Sequence, residues 1–239
     1  MTTNAPPSTS PGNITEDIRS RVARINRAGG AYHRFDLGAD LAIEGDYDMA
    51  KYVHHYGLPP RLDGMSVLDV GTSSGALAMA CARRGAQVTA IDLWETSEVL
   101  RVACAAFGVT VRYVQKNVFD LDPSFGQFDL VLCGSMLLHV ASPLDALRRM
   151  RSVCRGRATV STNCPADSQT SDRPVCDFLG VHASDGDYWH YWTISATALR
   201  NMLLAAGFAT VGEPSHFVLQ TEPGRVNYLS PHVVVSASV

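Results

Sequence analysis

No two cysteines of this chain form a C-x-x-C pair; Cys81, Cys104, Cys133, Cys154, Cys164 and Cys176 are spread widely. That spacing excludes the common zinc and dithiol redox frameworks and predicts reduced, mostly buried thiols in a cytoplasmic protein. No apolar run approaches the ~20 residues of a membrane span, so none is expected. The opening TTNAPPSTSPG lacks the basic start and apolar core of a secretion signal, and residues 1–12 read as a disordered tail. Lysine is scarce: of 20 basic residues only Lys51 and Lys116 are lysines. The rest are scattered arginines, and with a net charge of −3 a broad nucleic-acid surface is not expected, although a short contact stays open.

What is present suffices for one substantial core: 239 residues, 46% of them hydrophobic. Asn13 is the predicted N-cap of a first helix, with Glu16 three residues on and Ile14, Ile18, Val22 and Ile25 at helical spacing before Gly29-Gly30. The following stretch is dense in rings without clean periodicity, among them Tyr32, His33, Tyr47 and Tyr56. Residues 13–62 are therefore expected to form a helical and aromatic lid or pocket wall.

From residue 63 to 239 strand and helix patterns alternate. Strands are predicted at 66–70, 87–92, 111–116, 130–134 and 158–162, and helices at 75–84, 95–107 and 143–154. After an insertion at about 163–193 come a helix at 195–206, strands at 208–211, 216–220 and 232–236, and a further short strand near 225–228. Such alternation implies an α/β domain with a mostly parallel sheet, helices on both faces, and a ligand at the carboxyl ends of the strands.

The most informative segment runs Val67-Leu68-Asp69-Val70-Gly71-Thr72-Ser73-Ser74-Gly75 and is followed by Gln87-Val88-Thr89-Ala90-Ile91-Asp92. It reads as strand, glycine turn, helix, strand, acid. The helix start offers unpaired N–H groups to an anion, and Asp92 stands where a carboxylate accepts ribose hydroxyls. An acid at position 69 would repel a pyrophosphate but suits the amino group of a methionine moiety.

This D-x-G-x-S-x-G run resembles the first motif of the class I S-adenosylmethionine-dependent methyltransferases, D/E-x-G-x-G-x-G, with Ser73 at the middle glycine. Residues 127–139 with Ser142-Pro143-Leu144-Asp145-Ala146-Leu147 look like the fourth strand and following helix of that family. Lys116-Asn117-Val118-Phe119-Asp120 is similar to its adenine loop, with Asn117 in place of the usual acid. The resemblance implies a Rossmann-like fold with a seven-stranded sheet and S-adenosyl-L-methionine as cofactor. It places the cofactor on Asp69, Gly71, Thr72, Ser73, Gly75, Asp92, Leu93, Trp94, Asn117, Val118, Cys133 and Gly134. Leu138-His139, Pro143-Leu144 and Gly207-Phe208 further resemble a subgroup that alkylates the wobble uridine of tRNA.

His139 is the candidate general base, its alternative being a packing histidine after the fourth strand. In the insertion, His182, Asp185 and Asp187 fit no compact metal-ligand spacing, and no metal is expected. Tyr188, Trp189, His190 and Trp192, with Tyr32 and His33, either cover the methyl acceptor or fill a satellite core. The implied activity is methyl transfer to a small organic molecule in specialised metabolism, with oxygen, nitrogen and carbon acceptors all open. The alternatives are a tRNA-modifying enzyme and a cofactor-binding protein of this fold that catalyses a rearrangement or cyclisation. A homo-oligomer is left open.

Overall fold

The computed structural model describes residues 14–169, 171–182 and 189–239, so the expected tail, the Asn13 cap, Asp185, Asp187, Tyr188 and the His182 side chain lie outside the described residues. The first helix, α1, spans Glu16–Arg27 and buries Ile18, Val22 and Ile25, as its spacing requires. Its observed cap is Thr15, whose hydroxyl accepts from the Ile18 N–H at 3.3 Å. The chain leaves through Gly29 and Gly30, and the Gly30 N–H returns to the Ile25 carbonyl at 3.0 Å.

After this helix the ring-dense stretch forms four short strands, β1 (Ala31–His33), β2 (Phe35–Gly38), β3 (Leu41–Ile43) and β4 (Gly45–Tyr47), then 3-10 turns at Met49–Lys51 and Val53–Tyr56. Elements of three or four residues are too short for a period to show, which is why the sequence pattern looked irregular. β2 and β3 form a hairpin whose turn residues, Ala39 and Asp40, both have positive φ and so follow the right-handed strand twist. β1 pairs with β4 in parallel and brings His33 opposite Tyr47.

The central sheet follows the predicted alternation closely. It comprises β5 (Ser66–Val70), α2 (Ala76–Ala82), β6 (Gln87–Asp92), α3 (Ser97–Phe107), β7 (Val111–Gln115), β8 (Phe128–Gly134), α4 (Pro143–Ser152) and β9 (Cys154–Asn163). The insertion holds a hairpin, β10 (Cys176–His182) and β11 (Trp189–Ile194), and leads to α5 (Ala196–Ala205), β12 (Thr210–Val211), β13 (Ser215–Gln220) and β14 (Leu229–Ser238). The order across the sheet is β12-β14-β9-β8-β5-β6-β7, with β13 also on β14. β5 through β9 pair in parallel and β14 is antiparallel to β9. There are thus eight strands in seven positions rather than seven strands, because β13 and β12 divide the outer edge of the long β14 between them. Residues 225–228 form no strand; the Thr221 hydroxyl ties this bend by donating to the Val226 carbonyl.

Successive strand residues point to opposite faces. Val67, Leu130 and Leu132 pack with α1, α2 and α3, whereas Leu68, Val131 and Cys133 pack with α4 and α5. Each such side chain, once buried, stabilises by about 1.5 to 3 kcal/mol, and together they hold the strand ends rigid. Between β5 and β8 the winding reverses, and the crevice that results is where this architecture binds ligands.

Candidate active site

A cavity of about 490 Å³ opens at that crevice, within the range of small-molecule sites. Its floor is the turn after β5. Gly71 has φ of +70°, and a Cβ there would stand 2.6 Å from the Met136 side chain, so only glycine fits. The Gly71 and Thr72 N–H groups both donate to the Ile91 carbonyl at 2.9 and 3.0 Å, which binds the turn to β6. Ser73, at the family's middle glycine, also has positive φ, at 48°. Its N–H donates to Asp92 Oδ2 at 2.8 Å, and this charge-assisted bond offsets part of the backbone cost.

Asp92 closes β6 at the cavity wall, and its other oxygen accepts from the Trp94 N–H at 3.1 Å. Leu93 and Trp94 line the rim and are half exposed. Val118 and Asn117 complete this end, with the Asn117 oxygen capping the next turn by accepting from the Phe119 N–H at 3.0 Å. Gly134 ends β8 at the wall, where a Cβ would meet Leu77 at 2.8 Å.

Four residues expected at the cofactor do not line this larger cavity. Asp69 is buried behind the Gly71 turn, where its Oδ2 accepts from the Thr72 hydroxyl at 2.7 Å and the Ala78 N–H at 3.1 Å. Burial pushes its carboxyl up to about 6 against the pull of those two donors, and its Oδ1 has no protein partner. Both residues border a hollow of about 30 Å³, room for a water-sized group, that adjoins the larger cavity and shares Tyr32, His33, Gly71 and Gly134 with it. Gly75 lies against Leu100 of α3, serving helix packing instead of the cavity. Cys133 is fully buried beneath β8, its thiol pushed up to about 12. Gly75 and Cys133 support the turn from behind the wall, whereas Asp69 and Thr72 reach the adjoining hollow.

The start of α2 also differs from expectation. The Ala76 N–H donates to His33 Nδ1 at 3.4 Å and the Ala78 N–H to Asp69, so the N-terminal segment caps a helix end expected to be open. With Nδ1 accepting, His33 carries its proton on Nε2, and burial lowers its pKa to about 3, leaving the ring neutral.

The opposite end of the cavity is made by distant segments. His139 follows β8 in a 3-10 turn, and its Nδ1 lies 3.1 Å from the Trp189 carbonyl. A carbonyl only accepts, so Nδ1 carries the proton and Nε2 is the basic nitrogen. Burial, reinforced by His190, lowers the pKa of His139 to about 4, the two rings meeting edge to face at 4.9 Å. Tyr32, Trp189 and His190 line the cavity as expected. Trp192 does not: its indole turns to the α4 side and donates to the Val140 carbonyl at 3.1 Å. Within the insertion, Trp189 and His190 thus line the cavity while Trp192 joins the core.

Sequence reading missed Asn163, Tyr228, Ser230 and His232, which also line the cavity, beside Tyr47 of the expected pocket wall. A single histidine among the valines of the last strand was the one available signal for His232. Among the described residues no three His, Cys, Asp or Glu side chains gather as a metal site, and no helix is long and apolar enough to cross a membrane. S-adenosylmethionine fits the arrangement: Gly71 and Gly134 put bare backbone at the cavity wall, and Asp92 presents its carboxylate there.

Comparison with known proteins agrees with this geometry. The profile of a methyltransferase-domain family matches residues 41–213, more than half of the chain. A ubiquinone biosynthesis O-methyltransferase of Xanthomonas campestris pv. campestris (strain B100) is 44% identical over 143 residues, 54% of this chain and 60% of that protein. The namesake enzyme of Pectobacterium atrosepticum is 45% identical over 89 residues, 36% of this chain and 37% of its own length. The chain thus spans 60% or less of these two curated relatives. Among solved structures, the N-terminal domain of EvdMO1 with S-adenosylhomocysteine bound aligns with a TM-score of 0.66 at 20% identity, covering 95% of this chain and 99% of that one. The Burkholderia thailandensis 1,6-didemethyltoxoflavin-N1-methyltransferase aligns at 0.54 and 24% identity, over 79% and 75%. The chain belongs to the methyltransferase-domain family and has a Rossmann-like fold.

Proposed function

We propose that the protein methylates a hydroxyl oxygen of a small organic molecule in specialised metabolism. The observation that carries this reading is His139, which presents a neutral imidazole with a defined tautomer beside the carboxyl end of β8, in the same cavity as Asp92. Bound S-adenosylmethionine supplies an electrophilic methyl group for in-line displacement. Its sugar falls to Asp92, its adenine to the wall of Leu93, Trp94, Asn117 and Val118, and its amino-acid tail to the Gly71 turn and the His33 side of α2.

The chain's own contribution is then mostly positional. An imidazole with a pKa near 4 is a weak base, but at neutral pH it is fully in the accepting form. It receives the acceptor's hydroxyl proton in a hydrogen bond and turns an oxygen lone pair to the methyl, an orientation effect that can supply much of the rate. Tyr32, Trp189 and His190 exclude water around it. The O-methyltransferase names of the curated relatives support oxygen as the acceptor.

The test is incubation of purified protein and S-adenosylmethionine with a panel of small hydroxylated aromatics, read by mass spectrometry. A product heavier by one methylene unit, with release of S-adenosylhomocysteine, is expected. Methylated tRNA in place of a small product would assign the tRNA-directed subgroup. Substrate conversion with no methyl gained would assign rearrangement or cyclisation.

A further inference from the structure

We propose that Asn163 and His232 form a hydroxyl-recognition subsite in this cavity, reading a hydroxyl of the acceptor other than the one that is methylated. This rests on the O-methyltransferase reading above. The two residues are direct cross-strand partners of β9 and β14, so their side chains leave the same face with Cβ atoms about 5 Å apart. Both line the cavity, and both are nearly buried, His232 at 3% and Asn163 at 7% exposure.

Their hydrogen-bonding roles are set by what they already touch. His232 Nδ1 lies 2.9 Å from the Ser230 carbonyl and must donate, which leaves Nε2 as an acceptor with no protein partner among the described residues. Stacking on Phe217, with ring centroids 5.2 Å apart, holds that ring in place. Asn163 Oδ1 accepts from the Thr162 hydroxyl at 3.3 Å, and Nδ2 is then a donor without a partner among the described residues. An acceptor beside a donor matches one hydroxyl, which can give its proton to His232 and receive one from Asn163. No charged group is offered, so the preferred ligand is neutral.

The sheet order says which hydroxyl this is. β14 stands two positions from β8, on which Gly134 leads to His139, and at about 4.8 Å per strand the two ends are roughly 10 Å apart. The subsite therefore faces the far side of an acceptor whose reacting oxygen lies beside His139.

The test uses the full chain saturated with S-adenosylhomocysteine and four probes, phenol, catechol, resorcinol and hydroquinone, with binding measured by calorimetry. At least one dihydroxybenzene is expected to bind about 10- to 100-fold more tightly than phenol, the equivalent of one or two hydrogen bonds gained. His232→Leu and Asn163→Ala are each expected to reduce that ratio below about 3-fold while leaving phenol affinity unchanged. His232→Gln, which keeps an acceptor oxygen, should restore part of the ratio. Thermal melting checks each variant, and Asn163→Ala carries the test if His232→Leu does not fold. Equal binding of all four probes to the native protein, or a ratio that survives both substitutions, would overturn the proposal. Methyl transfer is scored separately by product mass, so the subsite can fail while the O-methyltransferase reading stands.

Discussion

From Gly71 to Asn117 the cavity wall is largely backbone: a left-handed turn, two N–H groups tied to Ile91, and one carboxylate that accepts from Ser73 and Trp94. From His139 to His232 it is side chains, delivered by a 3-10 turn, a hairpin and an antiparallel strand that lie far apart in the chain. In the proposed reading the first half holds the cofactor, and its geometry is short-range and tightly constrained. The second half faces the acceptor, and it is assembled from segments far apart in the chain. Damage to the first should appear in cofactor affinity and stability, and damage to the second in turnover and acceptor choice.

The largest effect that would sharpen this contrast is expected from Gly71→Ala. Left-handed backbone strain of about 1 to 2 kcal/mol adds to overpacking of about 1 to 3 kcal/mol against Met136. Denaturant unfolding should show the loss, and calorimetry should show little binding of S-adenosylhomocysteine. Next comes His139→Ala, expected to lower turnover by about 10²- to 10⁴-fold if the imidazole handles the proton. Cofactor affinity should not change; a fall in affinity would place His139 in the wrong half of the comparison. Its pH signature follows from the lowered pKa: the accepting form exists above about 4, so turnover should hold as pH drops from 7 to 5 and fail only below that. A rate that halves near pH 6.5 would contradict the burial of this ring.

A smaller change is expected for Asp92→Ala, about 1 to 3 kcal/mol of cofactor affinity by calorimetry, since Ser73, Trp94 and the ribose all lose an acceptor. Smallest is Ser73→Gly. Relief of left-handed strain, set against the added freedom of glycine when unfolded, leaves a gain of about 1 kcal/mol, or roughly 2 to 4 °C in melting temperature. Destabilisation instead would mean that the Ser73 side chain makes a contact worth more than the strain.

The same contrast explains what could be read in the sequence. Strands β5, β6 and β8 were legible because a fully buried parallel strand needs a continuous apolar run, and the turn after β5 because few residues other than glycine tolerate its backbone. Within that motif, however, contact and support could not be separated. Gly75 and Cys133 hold the turn and its surroundings from behind, and spacing says nothing about which side of a wall a residue occupies. The segment from 31 to 47 gave no periodic signal, since its strands are only three or four residues long.

By itself the sequence determined the alternating sheet, the glycine turn and the closing carboxylate, hence the family, because those features follow from local backbone needs. Only the tertiary structure decided that His33 caps α2, that Trp192 turns to the core, and that His232 meets Asn163 at the cavity wall. Each of these depends on a pairing between segments tens of residues apart, which is set by the packing of the whole sheet and has no trace in local spacing.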